Sequence, residues 1–451
     1  MRGQNWLIFA ASIFFYGWWD WRFLSLLFFT ATVDYWVALR LMKTEKSTSR
    51  KRLLALSLAS NLGVLGFFKY YNFFVGSFRE GIKTLGIETN PPLLEVILPL
   101  GISFYTFQAL SYTIDVYRRE LPAVRNYVQY MCFITFFPHM VAGPIQRATH
   151  FLVQFSKERR FDWNESVDGC RQMLWGFFKK MVVADTLARY VQAAYGDPAA
   201  ATGSDLLWAT YFFAFQIYCD FSGYTDIAIG CAKTFDFQLS RNFAYPYFAT
   251  SIPDFWLRWH IALSNWFRRY LYIPLGGNRV SKARWYLNIL VVFLVSGLWH
   301  GANWTFLIWG LLHGLFFLGY LIFAKDAAGS HNLDFAPMPF RSRLWRMLLT
   351  FHLVCFAWIF FRAESLTDAL LVINKIGGAL LTLKVTAPES ARGVVLIALL
   401  LAMEWLSKNR AHAFSGLPIP APARWALYYA VVICIIFATP LAHVPFIYFQ
   451  F

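Results

Sequence analysis

The sequence predicts an all-α membrane protein that crosses the bilayer many times. Of its 451 residues, 58% are hydrophobic and only 15% are charged, whereas a water-soluble chain carries about a quarter charged residues. The apolar runs are nearly continuous, and no polar stretch is long enough to form a separate core. Because each crossing needs about 20 apolar residues and a short connection, the chain has room for roughly ten to twelve crossings, some of them re-entrant or interfacial. We therefore expect residues 1–451 to form a single membrane domain.

Positive charge is concentrated in the short connections between the apolar segments. Lys and Arg number 41 against 25 Asp and Glu, which gives a net charge of +16. In a soluble domain this excess would suggest nucleic acid, but its position between apolar segments is typical of cytoplasmic loops of membrane proteins. We therefore place the basic loop 40–52 in the cytoplasm, and Asp20 and the connection 79–92 on the opposite side. The expected partners include the lipid bilayer and exclude nucleic acid.

The apolar segments can be followed in order from the N-terminus, where the first two form a tight pair around Asp20. The predicted segments are 6–19, 21–42, 53–78, 93–117, 127–145, an amphipathic stretch at 167–195, 206–233, 286–300, 303–323, 344–361, 393–406 and 425–441. One further stretch, 253–275, is interrupted by three arginines, which are costly in a lipid-facing span. We expect this stretch to form an interfacial or re-entrant helix.

A histidine ends one apolar run in the sequence Ser-Gly-Leu-Trp-His-Gly-Ala-Asn-Trp, residues 296–304. Glycines four residues apart, Gly297 and Gly301, flank His300 and let neighbouring backbones approach closely. A neutral imidazole at this depth can take a proton from a hydroxyl group. The alternative is a structural histidine that is hydrogen-bonded at a helix contact, and position alone does not separate these roles.

The interrupted stretch 253–275 carries a second histidine, His260, together with Arg258, Arg268 and Arg269. Arginines here could hold a phosphate-bearing donor molecule. Contact with anionic lipids by a basic amphipathic helix is the competing interpretation.

A carboxylate lies inside the long apolar run 206–233. Asp220 is expected to share a helical face with Tyr224, and intramembrane carboxylates are rare and usually functional or paired. Asp220 could orient a histidine or pair with an arginine.

Patterns that hold metal ions or nucleotides, such as H-E-x-x-H, paired C-x-x-C and G-x-G-x-x-G, do not occur in the sequence, so we expect no metal site.

At these residues the sequence resembles the membrane-bound O-acyltransferase family, in particular its bacterial branch of alginate O-acetylation membrane subunits. The similarity covers nearly the whole chain and is carried by ordered motifs at residues 98–107, 137–145, 220–226, 258–261 and 299–301. By this resemblance His300 matches the family's essential membrane-embedded histidine, and His260 matches a second histidine position with a supporting role. Members of this branch usually have one more apolar segment before the stretch resembling 6–19, so the resemblance implies an absent first helix or a truncated start.

The resemblance also implies a fold and a route for the substrates. The family fold is a ring of many helices around a tunnel, with a thioester donor entering from the cytoplasm and a hydroxyl acceptor from the other side. It implies acetyl-CoA or another acyl thioester as the donor substrate, with no permanently bound cofactor. The implied partners are a polysaccharide acceptor or an extracytoplasmic acyltransferase, and the implied location is the bacterial inner membrane.

The chain ends in an aromatic tail, residues 446–451, which contains one hydroxyl group on Tyr448. This tail resembles the C-terminal motif of a small helper protein that works with the family's D-alanine-transferring members, where a tyrosine is proposed to carry the acyl group. An interfacial aromatic anchor is the alternative.

The sequence therefore predicts an O-acyltransferase that passes acetyl groups across the membrane toward a polysaccharide such as alginate. In this hypothesis His300 is the base, His260 and Asp220 orient or polarise the site, the arginines receive the donor, and Tyr448 acts as a relay. Transfer of D-alanine from a carrier protein is a second hypothesis. A proton-coupled transporter or flippase is a third, although transporters often show duplicated halves and none is evident here. A structural scaffold is the remaining alternative.

Overall fold

Helices are the regular secondary structure of the part of the chain that the computed structural model describes, which comprises residues 2–95, 97–323, 339–388, 390–438 and 445–447. These residues contain no strand, so the predicted all-α class is confirmed. Among the described residues, five helical stretches are long and apolar enough to cross a membrane: Arg22–Lys43, Ser47–Lys83, Trp304–Phe323, Phe340–Arg362 and Ala421–Ala438. The chain divides into two compact units, of which the first comprises Met1–Ser166 and Cys231–Ser240 and the second comprises Val167–Gly230 and Arg241–Phe451.

The first unit begins with the predicted helix pair around Asp20 and continues with five further helices. They are α1 (Arg2–Asp20), α2 (Arg22–Lys43), α3 (Ser47–Leu65), α4 (Tyr71–Lys83), α5 (Ile102–Tyr117), α6 (Tyr127–Thr135) and α7 (Ala148–Gln154). A π-helical turn, Gly66–Tyr70, joins α3 to α4 without a break, so the predicted segment 53–78 belongs to one long helical stretch.

Arg50 in the basic loop 40–52 has a structural role. Its guanidinium is buried, and it donates to the carbonyl oxygens of Leu41 (2.6 Å) and Thr44 (3.1 Å) at the end of α2 and of Tyr117 (2.6 Å) at the end of α5. The last carbonyls of a helix have no partner within the helix and carry partial negative charge. Arg50 therefore caps two helix ends at once, a role that charge counting did not predict.

Two predicted segments of the first unit are only partly helical. The run 93–117 becomes helical at Ile102, because Gly101 has φ of +71° and a Cβ there would meet the Met140 carbonyl oxygen. The run 127–145 is helical only to Thr135. Prolines at 138 and 144 explain this end, since a proline disfavours helical backbone at the residue before it.

The second unit contains the residues predicted to form the site. Its helices are α8 (Trp163–Phe177), α9 (Asp185–Tyr195), α10 (Gly203–Thr234), α11 (Ile252–Arg258), α12 (Ile261–Phe267), α13 (Lys282–His300), α14 (Trp304–Phe323), α15 (Phe340–Arg362), α16 (Leu366–Leu381), α17 (Ala391–Ser407) and α18 (Ala421–Ala438). The first residues of α8 and the last of α10 belong to the first unit. The sequence prediction did not include α16, whose N-terminus is capped by Ser365 accepting the Asp368 N–H.

Helices α13 and α14 pack with their backbones in direct contact. A Cβ added at Gly297 would meet the carbonyl oxygen of Phe306, and the Cα of Gly310 would lie 3.4 Å away. A Cβ added at Gly310 would in turn meet the carbonyl oxygen of Phe293. The close approach predicted for the glycines around His300 is therefore present, and it holds the end of α13 against α14.

Candidate active site

The chain breaks its helical path at His260, between α11 and α12. His260 has φ of 44° and ψ of 53°, the left-handed region that non-glycine residues rarely adopt. The predicted single helix over 253–275 was therefore wrong, because two short helices and a π-helical turn, Arg268–Tyr272, take its place. A backbone conformation of this kind costs about 1–3 kcal/mol and persists only where the surroundings enforce it.

Asn242 enforces the break. Its backbone carbonyl accepts the Ile261 N–H at 2.9 Å, and its side-chain oxygen accepts the Ala262 N–H at 3.2 Å. Both are donors at the start of α12 that the helix itself cannot satisfy. Nearby, the Ala244 N–H donates to the Arg258 carbonyl at 2.9 Å. The segment that contains Asn242 and Ala244 is thus hydrogen-bonded to the chain both before and after His260.

The same asparagine sets the protonation of the His260 ring. The Oδ1 atom of Asn242 lies 3.1 Å from Nδ1 of His260, and Oδ1 already accepts the Ala262 N–H. Because an amide oxygen can only accept, Nδ1 must carry the proton in the neutral ring. The lone pair of the neutral ring is then on Nε2.

His260 and His300 are neighbours in a buried aromatic cluster. Their ring centroids are 6.5 Å apart, and both side chains are nearly inaccessible, with residue exposures of 0% and 3%. Burial lowers the pKa of His260 to about 3, so this ring is neutral at physiological pH. The rings that contact the pair are Phe221, Phe243, Trp299, Trp309 and Phe361. The structure thus brings together the two histidines that the sequence singled out.

His300 is the last residue of α13, and the following Gly301 is in an extended conformation. The ring of His300 lies 5.0 Å, between centroids, from that of Trp309 on α14. The backbone contact between α13 and α14 at Gly297 and Gly310 therefore places the imidazole against the aromatic side chains of the next helix.

Asp220 is also buried, but its partner is a lysine and not the predicted histidine or arginine. Its Oδ1 atom lies 2.7 Å from Nζ of Lys180, which lies 2.8 Å from Oδ1 of Asp185. The neighbouring Lys179 pairs with Asp226 at 2.6 Å. Two consecutive lysines thus bind two carboxylates of α10, and sequence analysis missed both lysines.

Close packing of α8 on α10 explains how the lysines reach these carboxylates. A Cβ added at Gly176 would meet the carbonyl oxygen of Gly223 at 2.6 Å, and one at Gly223 would meet the backbone of Gly176 and Lys180. The lysines lie in a π-helical turn, Phe178–Ala184, that follows α8 directly. Two lysines within an otherwise apolar face were the sequence signal that could have revealed this network.

The described part of the aromatic tail lies against α10. The N–H of Ile447 donates to Oδ2 of Asp220 at 2.7 Å, and the ring of Phe446 packs on Tyr224 and Phe221 with centroid separations of 5.3 and 6.1 Å. Phe221 contacts His260 as well. Tyr448, the predicted relay residue, lies outside the described residues.

The three predicted donor-binding arginines differ in their surroundings. Arg258 is half-buried, pairs with Asp254 at 2.6 Å and donates to the Ala244 carbonyl at 3.3 Å, so it braces the turn before His260. Arg268 is exposed, and Arg269 is half-buried with its guanidinium over the ring of Tyr270. Arg268 is therefore the arginine of the three that is most accessible to a donor.

Comparison with known proteins shows the family of the chain. The profile of the membrane-bound O-acyltransferase family matches residues 8–350. A protein of Azotobacter vinelandii described as a probable alginate O-acetylase is 41% identical over 369 residues, covering 82% of this chain and 71% of the relative. The peptidoglycan O-acetyltransferase of Helicobacter pylori is 37% identical, covering 83% of this chain and 73% of the relative.

A more distant relative is the teichoic acid D-alanyltransferase of Bacillus subtilis, which is 28% identical over 61% of this chain and 72% of its own length. The family and the relatives together support an O-acetyltransferase, and the apolar helices fit a multi-pass membrane protein. The predicted resemblance is therefore confirmed, and the chain belongs to the membrane-bound O-acyltransferase family.

Proposed function

We propose that this chain moves acetyl groups from a cytoplasmic thioester, acetyl-CoA or another acyl thioester, across the bacterial inner membrane for O-acetylation of an extracytoplasmic polysaccharide such as alginate. The observation that carries the proposal is the pair of buried imidazoles, His260 and His300, with ring centroids 6.5 Å apart in a member of this family. Relatives named for alginate and peptidoglycan favour a polymer as the final acceptor.

In this proposal the membrane helices form a ring of roughly ten to twelve members around a tunnel. The donor enters the tunnel from the cytoplasm, and the hydroxyl acceptor enters from the other side. A base deep in the membrane is useful under these conditions, because the two substrates then meet at His300 without either crossing completely. Family membership favours this scheme over the transporter and scaffold alternatives.

The proposed chemistry is an acyl transfer assisted by a general base. His300 takes the proton of the attacking hydroxyl, the oxygen forms a bond to the thioester carbonyl carbon, and the carbon–sulfur bond breaks. The proton then passes from His300 to the departing thiolate, so the histidine is regenerated.

His260 and Asp220 have supporting roles in this proposal. With the proton of His260 fixed on Nδ1 by Asn242, its Nε2 can accept a hydrogen bond and so help orient an attacking hydroxyl. Asp220 acts through the tail, whose Ile447 N–H it accepts. Of the arginines proposed to receive the donor, Arg268 is exposed and suited to an anionic group.

In this proposal Tyr448 carries the acyl group as a relay. The phenol has an ordinary pKa near 10, so attack at neutral pH requires a nearby base. The tail is anchored one residue earlier, where Ile447 binds Asp220 and Phe446 packs on Phe221, and Phe221 contacts His260. An acyl-tyrosine formed there would pass its acyl group to the polymer or to an extracytoplasmic partner enzyme, restoring the phenol.

The proposal is tested by supplying a labelled acyl thioester to purified protein and following the label. We expect His300→Ala to abolish transfer and Tyr448→Phe to abolish labelling of the C-terminal peptide in mass spectrometry. His150→Ala, at an exposed histidine of the first unit, serves as the control and should retain transfer. Transfer that survives the loss of His300 would reject the base, and an unchanged yield in the Tyr448 variant would reject the relay.

Transfer of D-alanine is the second candidate, and the similarity to the Bacillus subtilis teichoic acid D-alanyltransferase favours it. This candidate predicts dependence on a phosphopantetheinylated carrier protein. A donor-swap assay separates the two: acyl transfer from free acetyl thioester supports the first proposal, whereas activity only with a D-alanyl carrier supports the second.

A further inference from the structure

The carboxylate of Asp220 joins two different groups in the second unit. Its Oδ1 atom binds the ammonium of Lys180 at 2.7 Å, and its Oδ2 atom accepts the backbone N–H of Ile447 at 2.7 Å. Asp220 is 2% exposed and Ile447 is 2% exposed, so both groups are removed from solvent. A hydrogen bond from an amide to a buried carboxylate is charge-assisted and stronger than an ordinary backbone hydrogen bond.

Aromatic contacts complete this arrangement on the same helix. Tyr224 lies one turn after Asp220, and the ring of Phe446 packs on Tyr224 at 5.3 Å and on Phe221 at 6.1 Å between centroids. The α10 surface therefore offers an acceptor for a backbone N–H and an aromatic face for the preceding side chain. These two features match a peptide whose aromatic residue precedes the amide that is bound.

We propose that Lys180, Asp220, Phe221 and Tyr224 form a docking site for the chain's own C-terminal segment, recognised through the amide of Ile447 and the ring of Phe446. Lys180 holds the carboxylate in place while its second contact, with Asp185 at 2.8 Å, leaves one net negative charge among the three groups. That charge favours an N–H donor and disfavours a carboxylate at the same position.

In this docking site Asp220 does not orient a histidine directly. The carboxylate positions the tail, and the adjacent Phe221 contacts the His260 ring at 4.7 Å between centroids. The link from docking to acyl transfer rests on the proposed relay through Tyr448, whereas the docking itself is measurable without any acyl transfer.

Hydrogen exchange of the C-terminal peptide of the full chain, purified in detergent and analysed by mass spectrometry, tests the docking site. In Asp220→Ala we expect the amides around Ile447 to exchange about 10- to 100-fold faster, the range expected for losing a hydrogen bond to a charged group. Asp226→Ala is the matched control, because it removes another lysine-paired carboxylate of α10 that binds Lys179 and not the tail. Its tail peptide should exchange at the wild-type rate.

A second variant, in the C-terminal segment itself, tests the docking site if Asp220→Ala does not fold. Ile447→Pro removes the bound N–H together with the isoleucine side chain but leaves Asp220 and its lysine pair unchanged, and the remaining amides of the peptide should again exchange faster. Wild-type exchange in both Asp220→Ala and Ile447→Pro would overturn the docking site, as would equal acceleration in Asp226→Ala. Altered exchange combined with no acyl group on Tyr448 would leave the docking site standing and reject the relay alone.

Discussion

Asn242 and His260 are joined by a hydrogen bond of 3.1 Å that determines which ring nitrogen carries the proton. Asn242 also receives two N–H groups from the first turn of α12, so one buried residue holds both the left-handed backbone at position 260 and the tautomer of the ring. Asn242 is therefore a positioning residue, because it acts through the imidazole of His260.

Replacing Asn242 by alanine should lower both the rate of acyl transfer and the stability of the fold. We expect a loss of about 10- to 100-fold in kcat, because the imidazole would be free to change tautomer and orientation, together with a destabilisation of about 1–3 kcal/mol from the orphaned Ala262 N–H. The measurement is kcat as a function of pH, with thermal unfolding recorded in parallel.

Asn288→Ala provides the matched control for Asn242. Asn288 is equally buried and donates to the carbonyls of Leu275 and Gly277, away from both histidines. It should lose comparable stability while keeping its kcat and pH profile. Equal losses of kcat in the two variants would show that Asn242 acts only through folding.

A methyl group at Gly297 should disrupt the contact between α13 and α14. The added Cβ would strike the backbone carbonyl of Phe306, which cannot move aside as a flexible side chain can. We expect Gly297→Ala to cost about 1–3 kcal/mol of stability and to shift His300, with a lower midpoint of thermal unfolding. Gly319→Ala in the same helix pair is the control, since nothing lies within 4 Å of its Cβ and alanine favours the helix there. A wild-type midpoint for Gly297→Ala would contradict this packing.

Local patterns predicted most of the helices, because long apolar runs and glycine spacing are written in neighbouring residues. Segments 206–233 and 303–323, for example, correspond closely to α10 and α14. The break at His260 could not be predicted in this way. It depends on Asn242, which is 18 positions away in the sequence and acts through tertiary hydrogen bonds.

The candidate site shows the same division between local and tertiary information. The motifs identified His260, His300 and Asp220 by their residue types within apolar runs. The partner of Asp220 escaped prediction, because Lys180 lies on α8's π-helical continuation and reaches α10 only through the close approach of Gly176 and Gly223. Contacts between helices distant in sequence decide such pairings.

The buried histidines should make the fold less stable as the pH falls. Burial lowers the pKa of His260 to about 3, and burial does the same to His139 in the first unit, whereas both titrate near 6.5 when unfolded. Between these values the unfolded chain binds protons that the folded chain does not. The free energy of unfolding is therefore fully retained above pH 6.5 and falls as the pH decreases from 6.5 toward 3.

The contribution of one histidine can be isolated by comparison with a non-titrating residue. Each such histidine contributes a slope of up to about 1.4 kcal/mol per pH unit in this range. We expect the pH dependence of thermal unfolding between pH 6.5 and 4.5 to be shallower in His260→Gln than in the wild type. His150→Gln, at an exposed position, should retain the wild-type slope. Parallel curves for His260→Gln and the wild type would contradict the neutral, buried ring.

The arginines before and after α12 should have different roles: Arg258 stabilises the fold, and Arg268 binds the donor. Arg258 is paired with Asp254 and braces Ala244, so Arg258→Gln should lower the midpoint of thermal unfolding as well as kcat. Arg268 is exposed, so Arg268→Gln should leave the midpoint unchanged and raise KM for an anionic thioester about 3- to 10-fold, with kcat preserved. Because the attraction is electrostatic, the KM difference should shrink as salt concentration rises. An Arg268 variant with wild-type KM at low salt would remove Arg268 from the donor site.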